Sequence, residues 1–181
     1  MTINGGYLYV NAKGDGLDSN GSLVFNGGVV VVSGSVSGAD GSLDSDGTMV
    51  YNGGIVMGLS SRGMMEYPES GCLVATNLEA SAGDSIAVVA EDGTVLSVFQ
   101  TEKAVSDLIY ASADASSDSC QIVIGGTYDG TLNADGYGTG GTITGGTTVT
   151  ASDASSMPQQ GGGGAGGSFG FGGGGQTPPN A

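Results

Sequence analysis

The stretch Leu23-Val24-Phe25-Asn26-Gly27-Gly28-Val29-Val30-Val31-Val32, residues 23–32, decides the fold. Two short apolar runs flank an Asn-Gly-Gly triplet, and each run has strand length rather than helix length. The same plan surrounds Asn4-Gly5-Gly6, between Met1-Thr2-Ile3 and Tyr7-Leu8-Tyr9-Val10. It returns at Asn52-Gly53-Gly54, between Met49-Val50-Tyr51 and Ile55-Val56-Met57. The triplets recur at spacings of 22 and 26 residues. Acidic turns separate the units: Gly14-Asp15-Gly16-Leu17-Asp18-Ser19-Asn20-Gly21 and Asp40-Gly41-Ser42-Leu43-Asp44-Ser45-Asp46-Gly47. One unit therefore reads as strand, glycine corner, strand, acidic loop.

A period near 22 with several short strands fits one coil of a parallel solenoid. Glycine pairs suit corners because glycine takes positive φ without steric cost. Asparagine ahead of them can bond its copies above and below. The expected fold is all-β: a right-handed parallel β-helix of about three coils, a C-terminal antiparallel β cap and a disordered glycine-rich tail. Coils are expected over residues 1–70, the cap over 71–150 and the tail over 151–181. Alternation assigns the faces. Ile3, Phe25 and Tyr51 should form one inward stack, and Leu8, Val30 and Val56 another. Thr2, Val24 and Val50 should point outward, as should Tyr7, Val29 and Ile55, and Tyr9, Val31 and Met57.

Beyond Arg62 the repeat decays. Ser85 to Phe99 reads as a hairpin around Glu91-Asp92-Gly93, and Asp107 to Ser112 and Cys120 to Ile124 as two more strands. Thr142 to Val149 reads as a further hairpin. These strands are expected to cover the last coil, whose edge would otherwise stay open. From Ser155 onward glycine dominates around Phe169 and Phe171, and such a segment buries too little apolar area to offset its ordering entropy.

Charge narrows the partners. Eighteen acidic residues face three basic ones and no histidine, a formal charge of −15. Nucleic acid is disfavoured, since phosphate contacts need Lys and Arg, and anionic membranes repel the chain likewise. No apolar run approaches the roughly 20 residues of a membrane span. Hard cations and neutral partners remain. Asp15, Asp18 and Asn20 on one coil should lie near Asp40, Asp44 and Asp46 on the next, about 4.8 Å away. Repeated oxygen ligands at that spacing suit calcium. The same aspartates also suit a purely structural role, bending corners through side-chain to backbone bonds. Outward Tyr7 and Tyr9 offer rings for a sugar to stack on, or surface for packing.

The aspartate-glycine loops leading into Asn-Gly-Gly coils carry a resemblance. So does Gly93-Thr94-Val95-Leu96-Ser97-Val98-Phe99 followed by Lys103 and, later, Gly125-Gly126. From Thr2 to Val149 the chain resembles the bacterial carbohydrate-binding β-helix family, whose pectate-lyase-like members bind cellulose and acidic sugars with calcium. The resemblance implies a non-catalytic, extracellular or cell-surface module for plant cell-wall polysaccharide, cellulose or pectin-like. It also implies further coils upstream. Met1 enters directly on a repeat without a signal peptide, so an exported protein is expected to be represented here by an N-terminally trimmed piece.

Catalysis finds little to work with. Without histidine, Ser-His-Asp and Cys-His arrangements are impossible. A lyase needs a base beside a calcium-bound uronate, and only Lys13, Arg62 and Lys103 are available. Paired carboxylates for glycoside hydrolysis remain open at a separation of about 5–10 Å. Cys72 and Cys120 are compatible with either a disulfide or two buried thiols. A structural or adhesive β-solenoid spacer is the competing reading, and a lyase remnant the third.

Overall fold

The computed structural model describes residues 1–38, 40–61 and 65–157, and within them the chain is all-β apart from one 3-10 turn, Ala154–Ser156. Among these residues no helix is long and apolar enough to cross a membrane. The first repeat supplies β1 (Thr2–Ile3), β2 (Tyr7–Asn11) and β3 (Leu17–Ser19). The second supplies β4 (Leu23–Phe25), β5 (Val29–Ser33) and β6 (Leu43–Ser45), and the third β7 (Met49–Tyr51) and β8 (Ile55–Ser60).

Equivalent strands pair in parallel as three ladders, β1-β4-β7, β2-β5-β8 and β3-β6. The expected columns form: Ile3, Phe25 and Tyr51 align, as do Leu8, Val30 and Val56. The asparagines tie the ladders at one corner. Asn26 Nδ2 donates to Asn4 Oδ1 and Asn52 Nδ2 to Asn26 Oδ1, both at 2.8 Å. The second glycine of each corner stands at positive φ. Gly28 has φ +88°, and a Cβ on it would lie 2.5 Å from the Gly6 carbonyl oxygen. Inside, Leu23, Phe25, Val30, Val32, Leu43 and Val56 are buried in one core. Ile3, Leu8 and Val10, at the unpaired edge of the first repeat, are half-buried.

The outward assignments hold in both ladders, but in the second most of the outward side chains are covered rather than exposed. Thr2 and Val50 are exposed, but Val31 and Met57 are fully buried and Tyr9 half-buried. The reason lies in the C-terminal half, which does more than close an edge. β9 (Cys72–Ala80) and β12 (Val105–Ala111) extend the second ladder by antiparallel pairing, with β12 lying directly on β8. The chain then adds β10 (Ser85–Ala90), β11 (Val95–Gln100), β13 (Cys120–Ile124) and the short β14 (Thr127–Tyr128). β15 (Tyr137–Gly138), β16 (Ile143–Thr144), β17 (Thr147–Val149) and β18 (Ser152–Asp153) follow. Of these, β15-β11-β10-β13-β17 form a five-stranded antiparallel sheet, while β18 joins β9 at the edge of the six-stranded sheet β18-β9-β12-β8-β5-β2.

The five-stranded sheet lies over the outer face of the six-stranded one. Val31, Met57, Leu59, Leu108 and Tyr110 share a second core there with Ile86, Val88, Phe99 and Ile122. Burying the four aliphatic side chains among the first five of these contributes about 1.5–3 kcal/mol each, enough to draw a sheet across the face. Where the sandwich needs a polar tie, Ser97 Oγ sits 3.0 Å from the hydroxyls of both Tyr110 and Tyr137.

Two further expectations are corrected. Residues 142–149 do not pair as a hairpin: Ile143–Thr144 bond to Thr127–Tyr128, and Thr147–Val149 bond to β13. Gly145 and Gly146, both at positive φ, turn the chain from one sheet into another. Ordered structure also runs past residue 151. Ser152 pairs with Val74, Ala154 is buried, and Met157 packs on the inner core. The glycine-rich stretch from 161 to 175, expected to lack regular structure, lies outside the described residues.

Lys103 locks the two halves together. From the β11–β12 connection its Nζ donates to Ala12 O at 2.5 Å, Ser33 O at 3.0 Å and Gly34 O at 2.9 Å. Burial pushes its ammonium pKa down, with Glu102 opposing. Beside it, Asn11 Nδ2 donates to Glu102 Oε2 at 2.6 Å.

The corner geometry sets an expectation. Gly28→Ala combines left-handed strain with a backbone clash and should lower the unfolding free energy by about 2 kcal/mol or more. Gly5→Ala, with nothing within 4 Å of the added carbon, should stay within about 0.5 kcal/mol. Urea midpoints of the two variants measure the difference.

Candidate functional site

The acidic loops become neighbours because β3 and β6 pair in register, Asp18 against Asp44. They then divide by role. Asp15 Oδ1 accepts from the Gly41 N–H at 2.9 Å, and Asp40 Oδ2 accepts from Ser37 Oγ at 2.8 Å. Asp15 thus caps a corner through the backbone, one of the two roles its residue type allowed, while Asp40 bonds a neighbouring hydroxyl. Asp18, Asn20 and Asp46 are exposed, and Asp44 is half-buried. Burial raises the pKa of the Asp44 carboxyl, and the charges of Asp15, Asp18 and Asp46 raise it further. Among the described residues, no three acidic or thiol side chains converge as a metal site.

Glu66 joins this face and was not foreseen. Its Oε2 accepts from the Ser45 N–H at 2.8 Å. Its carboxyl is also raised, by burial first and then by Asp44 and Asp46. Nothing in the repeat announces it, since it stands on the irregular connection ahead of Tyr67-Pro68. Next to it opens a groove of about 510 Å³ between residues 45–52 and 65–70. Asp46, Asn52, Glu66 and Glu69 supply its polar lining, with Met49 and Met65 the thioethers.

The two tyrosines part company. Tyr9 sits 5.8 Å from Phe99, ring to ring, packed against the second core. Tyr7 is 45 % exposed. Its ring is supported 6.1 Å away by buried Tyr137, whose hydroxyl pKa burial pushes up to about 12. Asn133 and Asp135 lie at the Tyr7 hydroxyl. Asn133 is itself fixed by backbone N–H donation from Asp135 and Tyr137 to its Oδ1. The platform is thus one exposed ring on a rigid support with an amide and a carboxylate at its polar end. The 133–137 turn carries no motif that would have linked it to Tyr7.

The cysteines are free thiols in different cores, Cys72 in the inner one and Cys120 in the second. Burial raises the Cys72 thiol to about 12, so no thiolate nucleophile forms there near neutrality. Lys103 is committed to carbonyls, and Arg62 lies outside the described residues. No family model, no curated protein and no solved structure matches this chain.

The raised carboxyls carry a pH dependence. Because Asp44 and Glu66 hold protons more tightly folded than unfolded, the stability they contribute is fully present below the ordinary carboxylate range. It falls as pH rises through their elevated values. Asp92 and Asp129, lowered by hydrogen bonds from Thr94 and Thr142, act oppositely and only below that range. Tm should therefore rise as pH is brought from 7 towards about 5. Asp44→Asn with Glu66→Gln should raise Tm at pH 7 and flatten that slope, read by differential scanning calorimetry.

Proposed function

We propose that this chain is a non-catalytic, exported polysaccharide-binding module whose repeats wind as a right-handed parallel β-helix. The observation that carries the reading is Tyr7: a half-exposed ring, held from behind by Tyr137, with Asn133 and Asp135 at its hydroxyl. An aromatic ring with a wet polar end offers an apolar face to sugar C–H groups and hydrogen bonds to hydroxyls. The formal charge of −15 favours a neutral polymer over an acidic one. Cellulose-like glucan of plant cell walls is the preferred ligand. Pectin-like chains would need a bridging calcium along the Asp18–Asp44 edge. The side chains there do not converge three at a time among the described residues, so neutral glucan fits better. The extracellular or cell-surface setting rests on the same reading.

The experiment is retention on insoluble cellulose, compared with oligogalacturonate binding in calcium and in chelator. The wild type should be retained. Tyr7→Ala should weaken retention about tenfold, a loss near 1.4 kcal/mol, with an unchanged circular dichroism spectrum. Calcium should leave Tm and cellulose binding unchanged. Failure of the wild type to bind any of these polymers would leave the rigid stack as a structural spacer instead.

A further inference from the structure

The three parallel ladders end differently at the third repeat. In the second ladder β12 lies on β8 and completes its hydrogen bonds. In the third, Glu66 takes the Ser45 N–H at the outer side of β6. In the first, β7 pairs with β4 and, among the described residues, with no strand on its other side. The direction of its free groups follows from the bonds it makes. The Leu23 N–H donates to Thr48 O and the Asn52 N–H to Phe25 O, so residues 48, 50 and 52 face β4. In a parallel ladder alternate residues face opposite ways, so the N–H and C=O of Met49 and Tyr51 face outward. That direction is the groove of about 510 Å³.

We propose that this groove is a strand-addition site for an extended cationic peptide. The backbone groups of Met49 and Tyr51, two residues apart, match the repeat of a second strand. A strand laid there would present every second side chain to the opposite wall, where Glu66 and Glu69 stand, with Asp46 at the end. Among the described residues no Lys or Arg lines the groove, and Glu66 is already crowded by Asp44 and Asp46. A basic side chain would relieve that crowding, which an uncharged strand would not. A second copy of this chain is a poor occupant, having three Lys and Arg residues against eighteen acidic ones. Alternating amide and carbonyl groups at strand spacing are matched in full by another extended backbone, so the edge favours a polypeptide. The site is separate from the Tyr7 platform and does not depend on it.

The test uses the full chain and a fluorescent octapeptide of alternating lysine and valine, followed by anisotropy at low salt. A second peptide of the same sequence is N-methylated at alternate residues, which preserves charge and removes strand pairing. The first peptide should bind, and the N-methylated one should bind at least tenfold more weakly. Glu66→Gln with Glu69→Gln should also weaken the first peptide about tenfold. Glu79→Gln with Glu91→Gln, the same charge change at exposed positions elsewhere, should have little effect, as should Tyr7→Ala. Unchanged melting curves for the variants show that folding is not the cause. Equal binding of the two peptides, or equal losses from both double variants, would reduce the effect to general charge attraction and overturn the proposal. Displacement of the peptide by cello-oligosaccharide would assign the groove to a glycan and overturn it as well.

Discussion

The register of the β2-β5-β8 ladder is the constraint on which the rest of this molecule rests. One face of that ladder fills the inner core and the other fills the sandwich under the five-stranded sheet. Because side chains alternate with a period of two, a slip of one residue would exchange the two sets completely. Val30 and Val56 would then face the sandwich, and Val31 and Met57 the interior of the stack. The asparagine column and the Gly6-Gly28-Gly54 corner prevent the slip, for they tolerate one vertical alignment only. Cheap local chemistry at a corner thereby specifies two hydrophobic cores at once.

The stack itself was legible because its signals are local and repeated. Asn-Gly-Gly corners, the alternation around Phe25 and Val30, and the Glu91-Asp92-Gly93 turn each act within a few residues. What escaped is long-range. Val29 to Val32 is a continuous apolar run, which marks a strand buried on both faces. Alternation places Val31 on the outer face but does not reveal that a second sheet covers that face. The pairing of Thr147–Val149 with β13 joins residues about two dozen apart that share no motif. Neither Glu66 nor the 133–137 turn stands in any repeat, so nothing in the chain's order connects them with Asp44 or Tyr7. The acidic loops were recognised as neighbours, but whether an aspartate caps a corner or faces solvent depends on which N–H groups the fold brings to it.

So few cations force economy in their use. Lys103 sets its ammonium among three carbonyls drawn from the ends of two successive repeats. Those carbonyls sit where β2 and β5 leave the sheet, and that of Ser33 also accepts the Ala12 N–H at 2.9 Å. One side chain from the C-terminal half thus ties together backbone from two repeats of the N-terminal half.

The placement of the two thiols turns this shared architecture into something observable in time. Cys72 belongs to the inner core and Cys120 to the sandwich, yet β8 and β12 lend one face to each. Neither core can dissolve while the other persists, since both would lose the same strands. A stack and a sandwich that look like two domains therefore form one cooperative unit, and both sulfurs meet solvent in the same event.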